Sequence, residues 1–199
     1  MHIKWAKLLL SIALLLPPAP LSASLKRFLR SRRNKRASIS SLLGIWQNWV
    51  DLIRAGVGAY VITELAVEFD PGVKGASTVA LVVEAVVLSL VLLFQTIRFG
   101  QGARLVAPVF YLCGFTLVLG GYAAGGFAVF VGWLFAVGGR NPAYQLPTMG
   151  VALGVGGYLL DFNPRLVVAC ALIFLPLFLS FMAQQQLAFV AREPTTVLP

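Results

Sequence analysis

The stretch Ala76–Ile97, ASTVALVVEAVVLSLVLLFQTI, decides the fold class. Its one charge is Glu84. A helix over these residues spans about 33 Å at ~1.5 Å per residue, enough for a hydrocarbon core about 30 Å thick. Further apolar runs fill the chain from Ala55 to Gln186, broken only by short Gly, Pro or Arg punctuation. The 199-residue chain is 59% hydrophobic and 12% charged. Soluble domains carry about 45–50% and about 25%. Lipid-facing positions account for such an excess, so the expected fold is an all-α, polytopic membrane bundle in a single domain.

Six spans can be drawn, at 55–69, 76–97, 105–121, 122–138, 146–160 and 166–186. The third and fourth have no polar loop between them. Joined, they would make a helix of about 51 Å, longer than the bilayer is thick, so a hairpin at Gly120-Gly121 or Gly125-Gly126 is expected. Fourteen of the nineteen glycines lie between Gly100 and Gly157. Gly121-x-x-x-Gly125 and Gly150-x-x-x-Gly154 have the small-residue spacing that lets helices approach closely, within the bundle or against a second copy or complex partner. Asp70-Pro71 and Asn163-Pro164 read as turns between helices.

Residues 1–24 look like a secretory signal. Lys4 and Lys7 precede the apolar run Leu8–Leu16, and Ser22-Ala23-Ser24 follows Pro17-Pro18-Ala19-Pro20. The basic cluster immediately after it resists translocation, so the segment is read as uncleaved and too short to span. That cluster is Lys26, Arg27, Arg30, Arg32, Arg33, Lys35 and Arg36, seven of the sixteen Lys and Arg residues. Within the basic segment 25–40 it serves as a topogenic signal or as a contact for anionic headgroups. One aromatic, Phe28, within the run and no recognition motif argue against nucleic acid. Residues 41–54 alternate as an amphipathic helix. Leu42, Trp46, Trp49 and Ile53 lie on one side, and Gly44, Asn48 and Asp51 on the other, with Arg54 placed to pair with Asp51. An interfacial helix leading into the bundle at 55–186 is expected, with a short tail at 187–199.

With the N-terminus inside, the inner loops hold Arg98, Arg104 and Arg140, a second set of headgroup-contact candidates. The outer loops hold Lys74 and Arg165. This obeys the positive-inside rule and predicts an inner-membrane protein with both termini cytoplasmic.

Two acids stand within the bundle. Glu84 is about eight residues, or ~12 Å, inside its span. Glu64 shares a helical face with Tyr60 and Glu68, and the short loop between the first two spans brings Glu64 and Glu84 toward each other. A charged acid at depth must be protonated, paired or hydrated. No Lys or Arg falls at that depth in the span map, so Glu84, Glu64 and Tyr60 are the candidates for handling a proton or a cation. Cys113 and Cys170 read as small buried hydrophobes, without a Cys-x-x-Cys pair. The only histidine is His2. No catalytic, nucleotide-binding or metal motif is present, and no cofactor is expected. The preferred reading is a small transporter or channel-like protein. The alternatives are a non-catalytic subunit or scaffold of a membrane complex and a membrane enzyme acting on lipid headgroups.

Overall fold

The computed structural model describes residues 2–16, 43–44, 46–68, 76–98, 104–160, 163–185 and 187. The basic cluster from Lys26 to Arg36, the Ser22–Ser24 site, the Asp70–Gly75 loop and the tail beyond Leu187 lie outside them. The fold is all-α. Helix α1 is Trp5–Leu15 and α2 is Trp46–Tyr60, which continues as a π-helix over Val61–Ala66. Next come α3 (Ala76–Thr96), α4 (Val109–Leu119), a π-turn at Gly121–Gly125, α5 (Gly126–Gly138), α6 (Gln145–Leu160) and α7 (Pro164–Met182). Two two-residue ladders complete the described chain. In one, β1 (His2–Ile3) pairs antiparallel with β2 (Val67–Glu68); in the other, β3 (Ile97–Arg98) pairs with β4 (Arg104–Leu105).

Among the described residues, three helical stretches are long and apolar enough to cross a membrane: Ser77–Thr96, Gly121–Gly138 and Pro164–Met182. The other three drawn spans differ. Residues 109–119 make a helix of 11 residues, about half a hydrocarbon core in length. Residues 145–160 make one of 16.

The third and fourth segments do form a hairpin. Gly121 takes φ +71°, a left-handed turn that glycine enters without a Cβ penalty. The chain then runs back, bringing Trp133 of α5 against Phe110 of α4, with ring centroids 5.3 Å apart. The two Gly-x-x-x-Gly pairs pack by halves. A Cβ on Gly125 would strike the Thr116 carbonyl, and one on Gly150 would strike the Phe174 ring, whereas Gly121 and Gly154 face open space. Helices α2 and α4 approach as closely without such a motif. At Gly114 of α4 a Cβ would lie 2.4 Å from the Leu52 carbonyl oxygen of α2.

The described part of the amphipathic segment leads directly into the first drawn span. It is the first half of a rod, α2, that runs on past Ala55 without a break. Its polar side faces inward. Asn48 is buried, while Trp46, Trp49, Ile53, Val57 and Tyr60 are exposed. The expected Asp51–Arg54 pair is present at 3.6 Å. Outward apolar stripes recur on α3 (Val79, Val82, Val86, Leu90, Phe94) and on α7 (Val167, Phe174, Phe178, Phe181).

The signal-like segment is built into the core. Leu15 is fully buried, against Gly58 of α2 where no side chain would fit. Ser11 Oγ donates to the Gly58 carbonyl at 2.8 Å. The last carbonyls of α1, left without helical partners, accept side-chain donors from three other helices. Arg54 Nε donates to Leu14 O (2.8 Å), Arg54 Nη2 to Leu16 O (2.9 Å), and Gln95 Nε2 and Tyr111 Oη both to Leu15 O (3.1 and 3.0 Å). Because His2 pairs with Glu68, α1 starts at the end of the bundle where Ser77 lies and runs toward the end where Thr96 lies. Helix α7 starts beside Ser77 and finishes at the Thr96 end. His2 and Met182 thus lie at opposite ends of the described bundle.

Candidate functional site

A cleft opens at the Ser77 end between α3 and the start of α7, and the π-helix meets Arg165 beside it. On α3, Ala80, Glu84, Leu88 and Val91 follow helical spacing and form the buried face, so Glu84 points inward. On α7, Asn163 caps the helix: its Oδ1 accepts the Arg165 backbone N–H at 3.0 Å, and Pro164 fills the first helical position. That cap fixes Arg165 in the first turn, beside both acids. The π-helix ends by passing into β2, and its Thr63 carbonyl accepts from Arg165 Nη2 at 2.8 Å.

Arg165 joins the two carboxylates. Its Nη1 meets Glu64 Oε1 at 2.5 Å, and its Nε lies 3.5 Å from Glu84 Oε2. The Glu84 side chain is 3% exposed and that of Glu64 47%. The sequence reading left these acids without a cation at their depth, and the structure corrects it. Arg165 was placed in an outer loop by its position in the chain, but it lies on the first turn of α7 and a guanidinium reaches several ångströms inward from there. The expected approach of Glu64 and Glu84 is met, through the arginine between them.

The cleft has a volume of about 230 Å³ and is lined by Ser77, Thr78, Ala80, Leu81, Glu84, Asn163, Pro164 and Arg165. Tyr60 is not among the lining residues. It lies on the exposed side of α2, and its carbonyl accepts from Thr63 Oγ1. Glu68 lies beyond the π-helix, in extended backbone paired with His2. Arg98 and Arg104 stand opposite each other in the β3–β4 ladder, and Arg140 is exposed after α5, all at the Thr96 end.

Each guanidinium nitrogen of Arg165 already has a protein partner, which disfavours an anion in this cleft. Two carboxylates share one arginine there, leaving one negative charge in excess when both acids are ionised. A proton on Glu84, or a cation held by carboxylate and hydroxyl oxygens, balances it. Sequence reasoning missed Arg165, Ser77, Thr78 and Asn163. The available signal was an Asn-Pro cap followed by Arg, on the side of the membrane assigned to both acids. Comparison with protein-family models, with curated proteins and with solved structures finds no match.

Proposed function

We propose that this chain is a multi-pass inner-membrane protein of transporter or channel-like type, with Glu84 as its proton- or cation-binding group. The outward apolar stripes on α2, α3 and α7 support membrane residence, since lipid is the solvent that tolerates them all round the bundle. In this reading α2, α4 and α6 complete six crossings over 55–186, and α1 adds a further, short traverse before them. The basic cluster between α1 and α2 belongs on the cytoplasmic side with the Thr96 end. The cleft, and His2 with it, then face outward, and α7 ends inside.

The observation that carries the functional reading is the surplus carboxylate. Glu84 is nearly sealed from solvent, opens on a hydroxyl-bearing cleft and receives half of one arginine's pairing. Glu64, at the exposed rim, competes for the same guanidinium. A proton or small cation arriving at Glu84 would release Arg165 toward Glu64, an exchange a fully paired structural bridge does not offer.

The test is flux in reconstituted vesicles under an imposed pH, Na⁺ or K⁺ gradient. Wild-type protein should dissipate one of these gradients faster than empty vesicles, and Glu84→Gln should remove that excess without loss of the folded protein. Equal rates with and without wild-type protein would refute the reading. Undiminished flux in Glu84→Gln would remove Glu84 from it.

A further inference from the structure

A second polar cluster lies between α4, α5 and α6, away from the cleft. Cys113 and Thr116 on α4 and Gln145 and Met149 on α6 are all fully buried. Cys113 Sγ stands 4.0 Å from Met149 Sδ, and Gln145 Nε2 donates to Cys113 Sγ at 3.3 Å. Thr116 Oγ1 donates to the Leu112 carbonyl at 2.8 Å and lies 3.9 Å from the thioether. The other end of the Gln145 amide, Oε1, is buried without a hydrogen-bond partner. Buried polar atoms are seldom left so, and an apolar side chain would close this core without the orphan. Gly132 of α5 makes the room: a Cβ there would come within 2.9 Å of Met149 Cβ.

We infer that Cys113, Met149 and Gln145 form a buried site for a soft monovalent metal ion of the Cu(I) class. A metal–thiolate bond is about 2.3 Å long, and two such bonds opened to a trigonal angle set their sulfurs about 4.0 Å apart. That separation is already present between Cys113 and Met149. The third position belongs to Gln145. Turning its amide about the last side-chain bond presents Oε1 where Nε2 now donates. Thiolate and thioether are soft donors that select Cu(I) over Mg²⁺ or Ca²⁺. No group of three or more His, Cys, Asp or Glu is assembled among the described residues, which argues against zinc. Charge fits as well. Cys113 releases its thiol proton on binding, and one thiolate with one monovalent ion leaves the buried site neutral. Gln145 opens α6 just beyond the exposed turn Gly139–Asn141, so the amide end lies nearest the surface.

The site is independent of the transport reading and is tested separately. Purified protein in detergent is titrated with Cu(I) without oxygen, and followed by native mass spectrometry, near-ultraviolet thiolate-to-copper absorption and X-ray absorption. One copper per chain with two sulfur neighbours is expected. Met149→Leu, which conserves volume, should show one sulfur neighbour and bind at least about tenfold more weakly. Cys113→Ser should abolish binding, and Cys170→Ser should leave it unchanged. Folded wild-type protein that takes up no stoichiometric copper overturns the site. So does binding that survives Cys113→Ser or disappears in Cys170→Ser. Should Cys113→Ser not fold, the sulfur count in Met149→Leu decides: two sulfurs retained would sink the proposal.

Discussion

Arg165 and Arg54 are both partly buried arginines with an acid nearby, yet they are put to opposite uses. Arg165 holds two side-chain carboxylates, groups that can take up a proton and let go. Arg54 pairs with Asp51 but spends Nε and Nη2 on the carbonyls of Leu14 and Leu16, which do not titrate. The contrast separates chemistry from construction. The Ser77 end carries an arrangement that a proton can change, while the interior junction around Leu15 is a fixed clamp joining α1 to α2, α3 and α4.

Each way of breaking that contrast has a readout. The largest effect is expected from Arg165→Met, which leaves Glu84 buried and unpaired. It should lower unfolding stability in detergent by about 3–5 kcal/mol. Adding Glu84→Gln should restore most of the loss, and failure of that rescue would show that Glu84 is not what Arg165 holds. Arg54→Met should cost about 3 kcal/mol, since charged donors to two helix-end carbonyls are lost. Adding Asp51→Asn should not restore it. A full rescue there would mean that the acid, not the backbone, is the partner that matters.

Gly114→Ala tests whether the clamp depends on the close approach of α2 to α4. Overpacking against the Leu52 carbonyl should cost about 1–3 kcal/mol. Gly154→Ala faces open space and should be neutral or stabilise by up to ~1 kcal/mol through helix propensity. Similar effects at the two positions would contradict the packing described. Tyr111→Phe gives a small loss, about 1 kcal/mol for one neutral hydrogen bond, with ion flux unaltered. Altered flux would join the clamp to the site after all.

What the sequence disclosed follows from what hydropathy measures. Span boundaries at 76–97 and 166–186 fall close to Ser77–Thr96 and Pro164–Met182, because long apolar runs leave little choice of register. Gly120-Gly121 was legible as a turn, because a left-handed residue is needed where a hairpin must reverse. The direction of α2 was not. A helical period shows that Asn48 and Trp49 lie on different sides, but not which side meets protein. In the fold the polar Asn48 turns inward and Trp49 outward. Arg165 was hidden for another reason. Its place in the chain fixes where its Cα sits, whereas its charge lies at the tip of a long side chain. The clamp on α1 was hidden too, since nothing in Leu14–Leu16 marks carbonyls that accept from residues 38 to 96 positions away.

Those separations also set a timetable. Helix α1 is made first, and its last carbonyls wait for donors on segments the ribosome has not yet produced. Tyr111 follows Leu15 by 96 residues, roughly 5–20 s of synthesis at ~5–20 residues per second. Until then the end of α1 must find its hydrogen bonds elsewhere, in water or in transient partners. The newborn N-terminal helix cannot reach its final seat in the fold before the middle of the chain has emerged.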